Sequence, residues 1–239
     1  MYADDLILMS ASVVELQLMA TLCQVELDKI DMIVNTSKTM CIRIGPKFTV
    51  QCCQITLSNK QLQWVKVIRY LGVFVQSCKT FKLSFYDARK RFYIAANSIF
   101  SKVGKDNIAV VLSLVASFCT PLFLFGSETV SLNKTERTKL NNPCNIIYNK
   151  LFNTYNKSVL RNCQYFCGYL PFDLLYDLRY FRFHNKLSDL KEINFTVYYL
   201  QLLVGNSEYT ARAKPYDIHL TDSDNCIKYK LWKYFEKLL

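Results

Sequence analysis

Two adjacent aspartates, Asp4 and Asp5 in MYADDLILMS, are the first residues of this chain equipped for chemistry. Metal-dependent phosphoryl transfer clusters carboxylates so that they hold Mg²⁺ ions about 4 Å apart, which activates the attacking hydroxyl and shields the leaving oxygens. A turn between two short strands presents carboxylates at its tip. Tyr2-Ala3-Asp4-Asp5, followed by the apolar Leu6-Ile7-Leu8-Met9, has the form of such a turn and its second strand. Taken alone, the pair suits a solvated turn equally well. Other candidate ligands are weaker. Cys163 and Cys167 stand upstream of His184 and His219, but the second close pair that a zinc site needs is missing. The ten cysteines are sparse for a disulfide scaffold, and the apolar N-terminal stretch carries two aspartates and no basic flank. The thiols are therefore read as reduced and mostly buried.

These residues need elements to position them. Ser12-Val13-Val14-Glu15 has the form of a capping box. Leu16, Met19, Cys23, Leu27 and Ile30 follow at helical spacing, which predicts an amphipathic helix from Val13 to about Lys29. Met40, Ile42 and Ile44 alternate with Cys41 and Arg43 as in a half-buried strand, which Gly45-Pro46 ends. Gln54–Leu57 and Gln61–Val65 flank Ser58-Asn59-Lys60 as the arms of a hairpin do, and Val67–Val75 reads as one further strand. From about Phe81 the period changes to that of helices: Phe85–Val103, Ile108–Phe125 and Lys134–Phe152. Pro171 suits the first turn of another helix, running to about Leu190. The tail holds the apolar Val197–Val204, a loop around Gly205–Pro215 and a final helix near Ile227–Leu238. The expected fold class is α+β, with a small antiparallel sheet up to about residue 80 and a mainly helical remainder.

Charge narrows the partners. Thirty basic against nineteen acidic residues give +11, and the stretch from Lys79 to Lys105 has seven basic residues against Asp87 alone. Such a balance favours a polyanion, or simply makes a soluble basic surface. Arg161, Arg179, Arg182 and Lys186 interleave with Tyr169, Tyr176, Tyr180, Phe181 and Phe183. That pattern suits stacking on RNA bases, and equally a helix with an aromatic core face and a basic solvated face. Ile108 to Ser127 carries no charge over a length that could span a bilayer, though Pro121 and several hydroxyls interrupt it.

Three elements occur in order: Tyr2-Ala3-Asp4-Asp5, then Val34-Asn35-Thr36-Ser37-Lys38-Thr39 leading into a strand, then Tyr70-Leu71-Gly72-Val73. The set resembles the reverse transcriptase of non-LTR (LINE-like) retrotransposons, over most of the chain to about residue 185. The resemblance implies that Asp4 is the ligand shared by both Mg²⁺ ions, with Asp5 a weaker neighbour. Tyr2 would lie beside the primer terminus, and Lys38 near the incoming triphosphate as proton donor or charge neutraliser. Tyr70, Leu71 and Gly72 would belong to the hairpin that grips the primer, with Lys82, Arg89, Lys90 and Arg91 contacting phosphates. Residues 88–100 and the Pro121–Gly126 segment look like that family's thumb and downstream region. The implied division is a partial palm (1–46), a primer-grip-like hairpin region (47–80), a helical thumb (81–160) and a helical C-terminal region (161–239). The implied partners are an RNA template and a DNA primer or an RNA–DNA hybrid, inside the cell, in nucleus or cytoplasm.

In that family another catalytic aspartate, the fingers and an endonuclease all precede the Tyr-Ala-Asp-Asp turn, where this sequence has Met1. The expectation is a partial RNA-directed DNA polymerase that does not polymerise as an isolated chain. Two adjacent carboxylates hold Mg²⁺ poorly, because the ion demands near-octahedral geometry, and deoxynucleotide use would require the missing palm. The alternatives are a non-catalytic nucleic-acid-binding module using the basic thumb surface and, third, a membrane protein spanning at 108–127.

Overall fold

The computed structural model of the chain describes residues 5–189 and 208–239. The fold is α+β and divides into two compact units, Met1–Ser84 and Phe85–Leu239.

In the first unit, α1 (Val13–Asp28) starts where the sequence indicates, but not through the expected capping box. The Ser12 side chain makes no cap bond. The Ser10 hydroxyl instead donates to the Glu15 carboxylate at 2.7 Å and accepts from the Ser12 N–H at 3.1 Å. Val13, Leu16 and Ala20 pack toward Ile55, Leu57 and Leu62. The opposite side is also apolar: Val14, Leu18, Leu22 and Val25 are exposed at helical spacing. The helix is therefore apolar on two faces rather than amphipathic, and Ile30 lies beyond it, exposed.

The strand expected over 40–44 is reduced to β1 (Met40–Cys41). β2 (Thr56–Leu57) and β3 (Lys60–Gln61) form the expected hairpin around Ser58 and Asn59, both at positive φ. Positive φ at both positions matches the twist of the flanking strands. β4 (Gln63–Trp64) lies parallel on β1. The stretch read as one strand over 67–75 is two: β5 (Val67–Tyr70) and β6 (Val73–Gln76), antiparallel, with β7 (Lys82–Leu83) as a third. Apolar patterning missed the reversal because Leu71 sits at the turn as an apolar residue. Its φ is 46° and that of Gly72 is 84°.

The second unit is helical. α2 (Tyr86–Val103) buries Ala88, Phe92 and Ala96. α3 (Ile108–Leu114) runs through a π-helical turn, Val115–Cys119, into α4 (Thr120–Leu124). Pro121 explains the wide turn: it has no N–H and its ring crowds the carbonyl four residues back. The Thr120 hydroxyl donates to the Val115 carbonyl at 3.2 Å. Val111, Leu112, Val115, Cys119 and Phe123 are buried, and Phe123 stacks on Phe92 at 4.6 Å. By length and composition Ile108–Thr129 is apolar enough to cross a membrane.

α5 (Lys134–Phe152) carries a complete capping box. Asn133 Oδ1 accepts from the Glu136 N–H at 2.8 Å, while the Glu136 carboxylate accepts from the Asn133 N–H at 3.0 Å. α6 (Lys157–Phe166), which the pattern reading left unassigned, begins at Asn156, whose side chain accepts from the Ser158 N–H. α7 (Phe172–Asp189) follows Pro171. Residues 208–213 form a helical turn, α8, where a loop was expected, and α9 (Asp224–Glu236) is the final helix. Val197–Val204 falls outside the described residues. Leu174, Leu178 and Phe181 of α7 share one buried cluster with Ile227, Leu231 and Phe235 of α9.

Candidate nucleic-acid interface

Of the acidic pair, Tyr2 and Asp4 lie outside the described residues. Asp5 is exposed, in an isolated bridge ahead of α1. Among the described residues no group of three His, Cys, Asp or Glu comes together.

Lys38 is held by a turn that Asn35 organises. Asn35 Oδ1 accepts from the Ser37 N–H at 3.1 Å, the Ser37 hydroxyl at 2.6 Å and the Lys38 N–H at 3.3 Å. The Asn35 carbonyl accepts from the N–H groups of Lys38 and Thr39 and from the Thr39 hydroxyl. Asparagine favours such turns because its short side chain replaces a backbone acceptor. The result is a fixed backbone with the Lys38 side chain exposed.

Tyr70 and Val73 face each other across the base of the β5–β6 hairpin, leaving Leu71 and Gly72 at its tip. Tyr70 is half-buried and Leu71 is exposed. A leucine at φ 46° is strained by its Cβ, whereas Gly72 meets no such penalty. Lys82 is exposed on β7, opposite Gln76. Asp5, Lys38 and the hairpin all belong to the first unit.

The basic triplet belongs to the second. On α2, Arg91 Nε lies 2.8 Å from Asp87, one turn back. Lys90 is exposed, without an ion-pair partner among the described residues, and Arg89 is half-buried with its Nε buried and unbonded. Of the three, Lys90 is the free surface cation and Arg91 is partly neutralised.

The arginine–aromatic run on α7 resolves toward packing. Tyr176, Tyr180 and Phe181 are buried, so their faces are not open to bases. Arg179 lies 3.4 Å from Glu128 and Arg182 lies 3.4 Å from Asp224. Beside them is an ionic centre that no local pattern announces. Asp177, 1% exposed, accepts from Arg137 Nη2 at 3.0 Å and from the Tyr216 hydroxyl at 2.7 Å. Arg212 Nη1 is 3.9 Å from the same carboxylate. Tyr176 places its ring under both guanidiniums, at 4.6 Å from Arg137 and 5.1 Å from Arg212. Its hydroxyl donates to the Val130 carbonyl at 2.7 Å and accepts from the Leu132 N–H. Burial raises the Asp173 carboxyl above its ordinary value, against the pull of Arg137. Asp177 is matched by Arg137, Arg212 and Tyr216, which makes it a structural centre, while Asp173 Oδ1 and Arg212 Nη1 are buried without a hydrogen bond.

No protein-family description, curated protein or solved structure matches this chain.

Proposed function

We propose that this chain is part of a non-LTR-type reverse transcriptase that binds RNA–DNA hybrid: palm residues and primer-grip hairpin in the first unit, thumb in the second. The observation that carries this reading is the β5–β6 hairpin, with Leu71 and Gly72 at its tip. Apolar patterning alone predicts a single strand there, whereas the resemblance implies a hairpin. The Asn35-braced turn supports the same reading, since it gives Lys38 a fixed backbone next to a strand. In this reading Asp4 and Asp5 are Mg²⁺ ligands by ancestry, and two adjacent carboxylates fall short of a working site. The partners are RNA template and DNA primer, with deoxynucleotide taken only alongside further palm carboxylates.

We take Ile108–Thr129 as a packing helix of an intracellular protein, because one stripe of it is buried against Phe92 and Phe172. The test of the reading is hybrid binding, followed by fluorescence anisotropy with a labelled RNA–DNA duplex. Binding should be micromolar and fall with salt. Reversing Arg89, Lys90 and Arg91 to glutamate should weaken it at least tenfold. Unchanged affinity in that variant would sink the proposal.

A further inference from the structure

A cleft of the first unit is lined by none of Asp5, Lys38, Leu71 and Gly72. Its volume is about 590 Å³, and it opens between the 43–54 segment and the run from Gln61 to Lys66. Its wall contains Arg43 and Lys66 and no carboxylate. Arg43 is pre-set: its Nη1 donates to the Val50 carbonyl at 3.0 Å and to Cys52 Sγ at 3.1 Å, and the Ser77 hydroxyl holds its carbonyl at 2.7 Å. The Nε and Nη2 hydrogens have no partner among the described residues. Lys66 is exposed and has no ion pair there either. Trp64 lines the same wall with its indole N–H fixed on the Cys53 carbonyl at 3.1 Å, so the ring has one orientation. Gln51, Gln54, Gln61 and Gln63 complete the rim with side-chain amides that bond to nothing among the described residues.

Two cations without an acid nearby select an anion. A fixed indole is a stacking platform, and free amides offer donors and acceptors together, as base edges require. An acidic peptide would use the cations but neither the ring nor the amides. We propose that this cleft is a second contact site for single-stranded nucleic acid, with a phosphate at Arg43 and Lys66 and a base across Trp64. The proposal rests on the nucleic-acid-binding reading above and adds a site that the reading does not contain.

The chain has two tryptophans, Trp64 and Trp232. In the full chain carrying Trp232→Phe, Trp64 is the sole indole reporter. Titration with an unlabelled twelve-nucleotide oligouridine should quench it. Lys66→Gln, which removes no bond seen in the fold, should weaken that binding about threefold and reduce the salt slope by about 0.7. Hybrid binding measured in parallel should be unchanged by Lys66→Gln. Absent quenching, an oligouridine affinity indifferent to Lys66, or equal quenching by polyglutamate would each overturn the cleft proposal. If hybrid binding through α2 survives one of those results, the cleft alone fails. If neither nucleic acid binds, both readings fall.

Discussion

Arg137 and Asp177 stand 40 positions apart in the sequence and 3.0 Å apart in the fold. Asp177 is nearly fully buried, and Arg212 and Tyr216, which lie some 35 to 39 positions further along the chain, converge on it. A buried carboxylate shared in this way ties α5, α7 and the 212–216 segment to one point. Removing it takes the counter-charge from Arg137 at 3.0 Å, while Arg212 keeps the Glu208 carboxylate at 2.9 Å.

Asp177→Ala should therefore cost about 3–5 kcal/mol, as loss of one partner from a buried pair does. The exposed Arg91–Asp87 pair gives the contrast: Arg91→Ala should cost under about 1 kcal/mol. Urea denaturation of both variants checks the difference, and equal costs would mean that the buried centre does not organise the unit.

The hairpin tip predicts a stabilising change. Leu71 holds a left-handed backbone that asparagine or glycine adopts more readily. Leu71→Asn should raise stability by about 0.5–1 kcal/mol, and Gly72→Val should lower it by about 1–2 kcal/mol. Thermal melts read both, and a destabilised Leu71→Asn would show that the leucine side chain contributes packing worth more than the strain.

Catalysis has its own test. On the proposed reading, in which Asp4 and Asp5 would need further palm carboxylates, the 239-residue chain should give no template-dependent extension of a DNA primer on RNA with Mg²⁺. Products that appear, and that Asp4→Ala abolishes, would overturn this.

Stability should fall in mild acid. Burial, and then Arg212, hold the His184 imidazole below its ordinary value of 6.5. A depressed histidine stabilises the fold while neutral, and that contribution is lost as pH drops below 6.5 toward the folded value. For Asp222, burial acts upward but the Lys230 ammonium and the His219 N–H outweigh it, so its carboxyl ends below the ordinary value. Its contribution is present at neutral pH and lost only at lower pH, below 3.8. Asp173 runs the other way, because its raised carboxyl is relieved by acid. Just below pH 6.5 the histidine lowers stability, with Asp173 acting against it. His184→Phe, which keeps an aromatic ring beside Tyr180, should flatten the decline over that window. A curve parallel to that of the unmodified chain would exclude His184 as its source.

Much of the local structure was legible in the residues. The capped α5 matches its expected span, as does the Ser58-Asn59 hairpin. Both depend on chemistry between near neighbours: Asn133 with Glu136, and two turn residues at positive φ. The Leu71-Gly72 turn hid because a leucine at its tip continues an apolar run. α6 hid because only Leu160 and Gln164 of it are buried, too few to set a helical period. The aromatic run on α7 stood open between base stacking and core, since a buried tyrosine and an exposed one look alike in sequence.

By itself, the sequence determined where most helices begin and end, where the α+β part gives way to the helical part, and the order of the Asp-Asp, Lys38 and Tyr70-Leu71-Gly72 elements. Those follow from periodicity and capping, which act over a few residues. Only the tertiary structure decided that Asp177 joins Arg137, Arg212 and Tyr216, that α7 buries its aromatics, and that Arg43, Trp64 and Lys66 share an acid-free cleft. Those relationships depend on which distant surfaces meet, and no local preference encodes that.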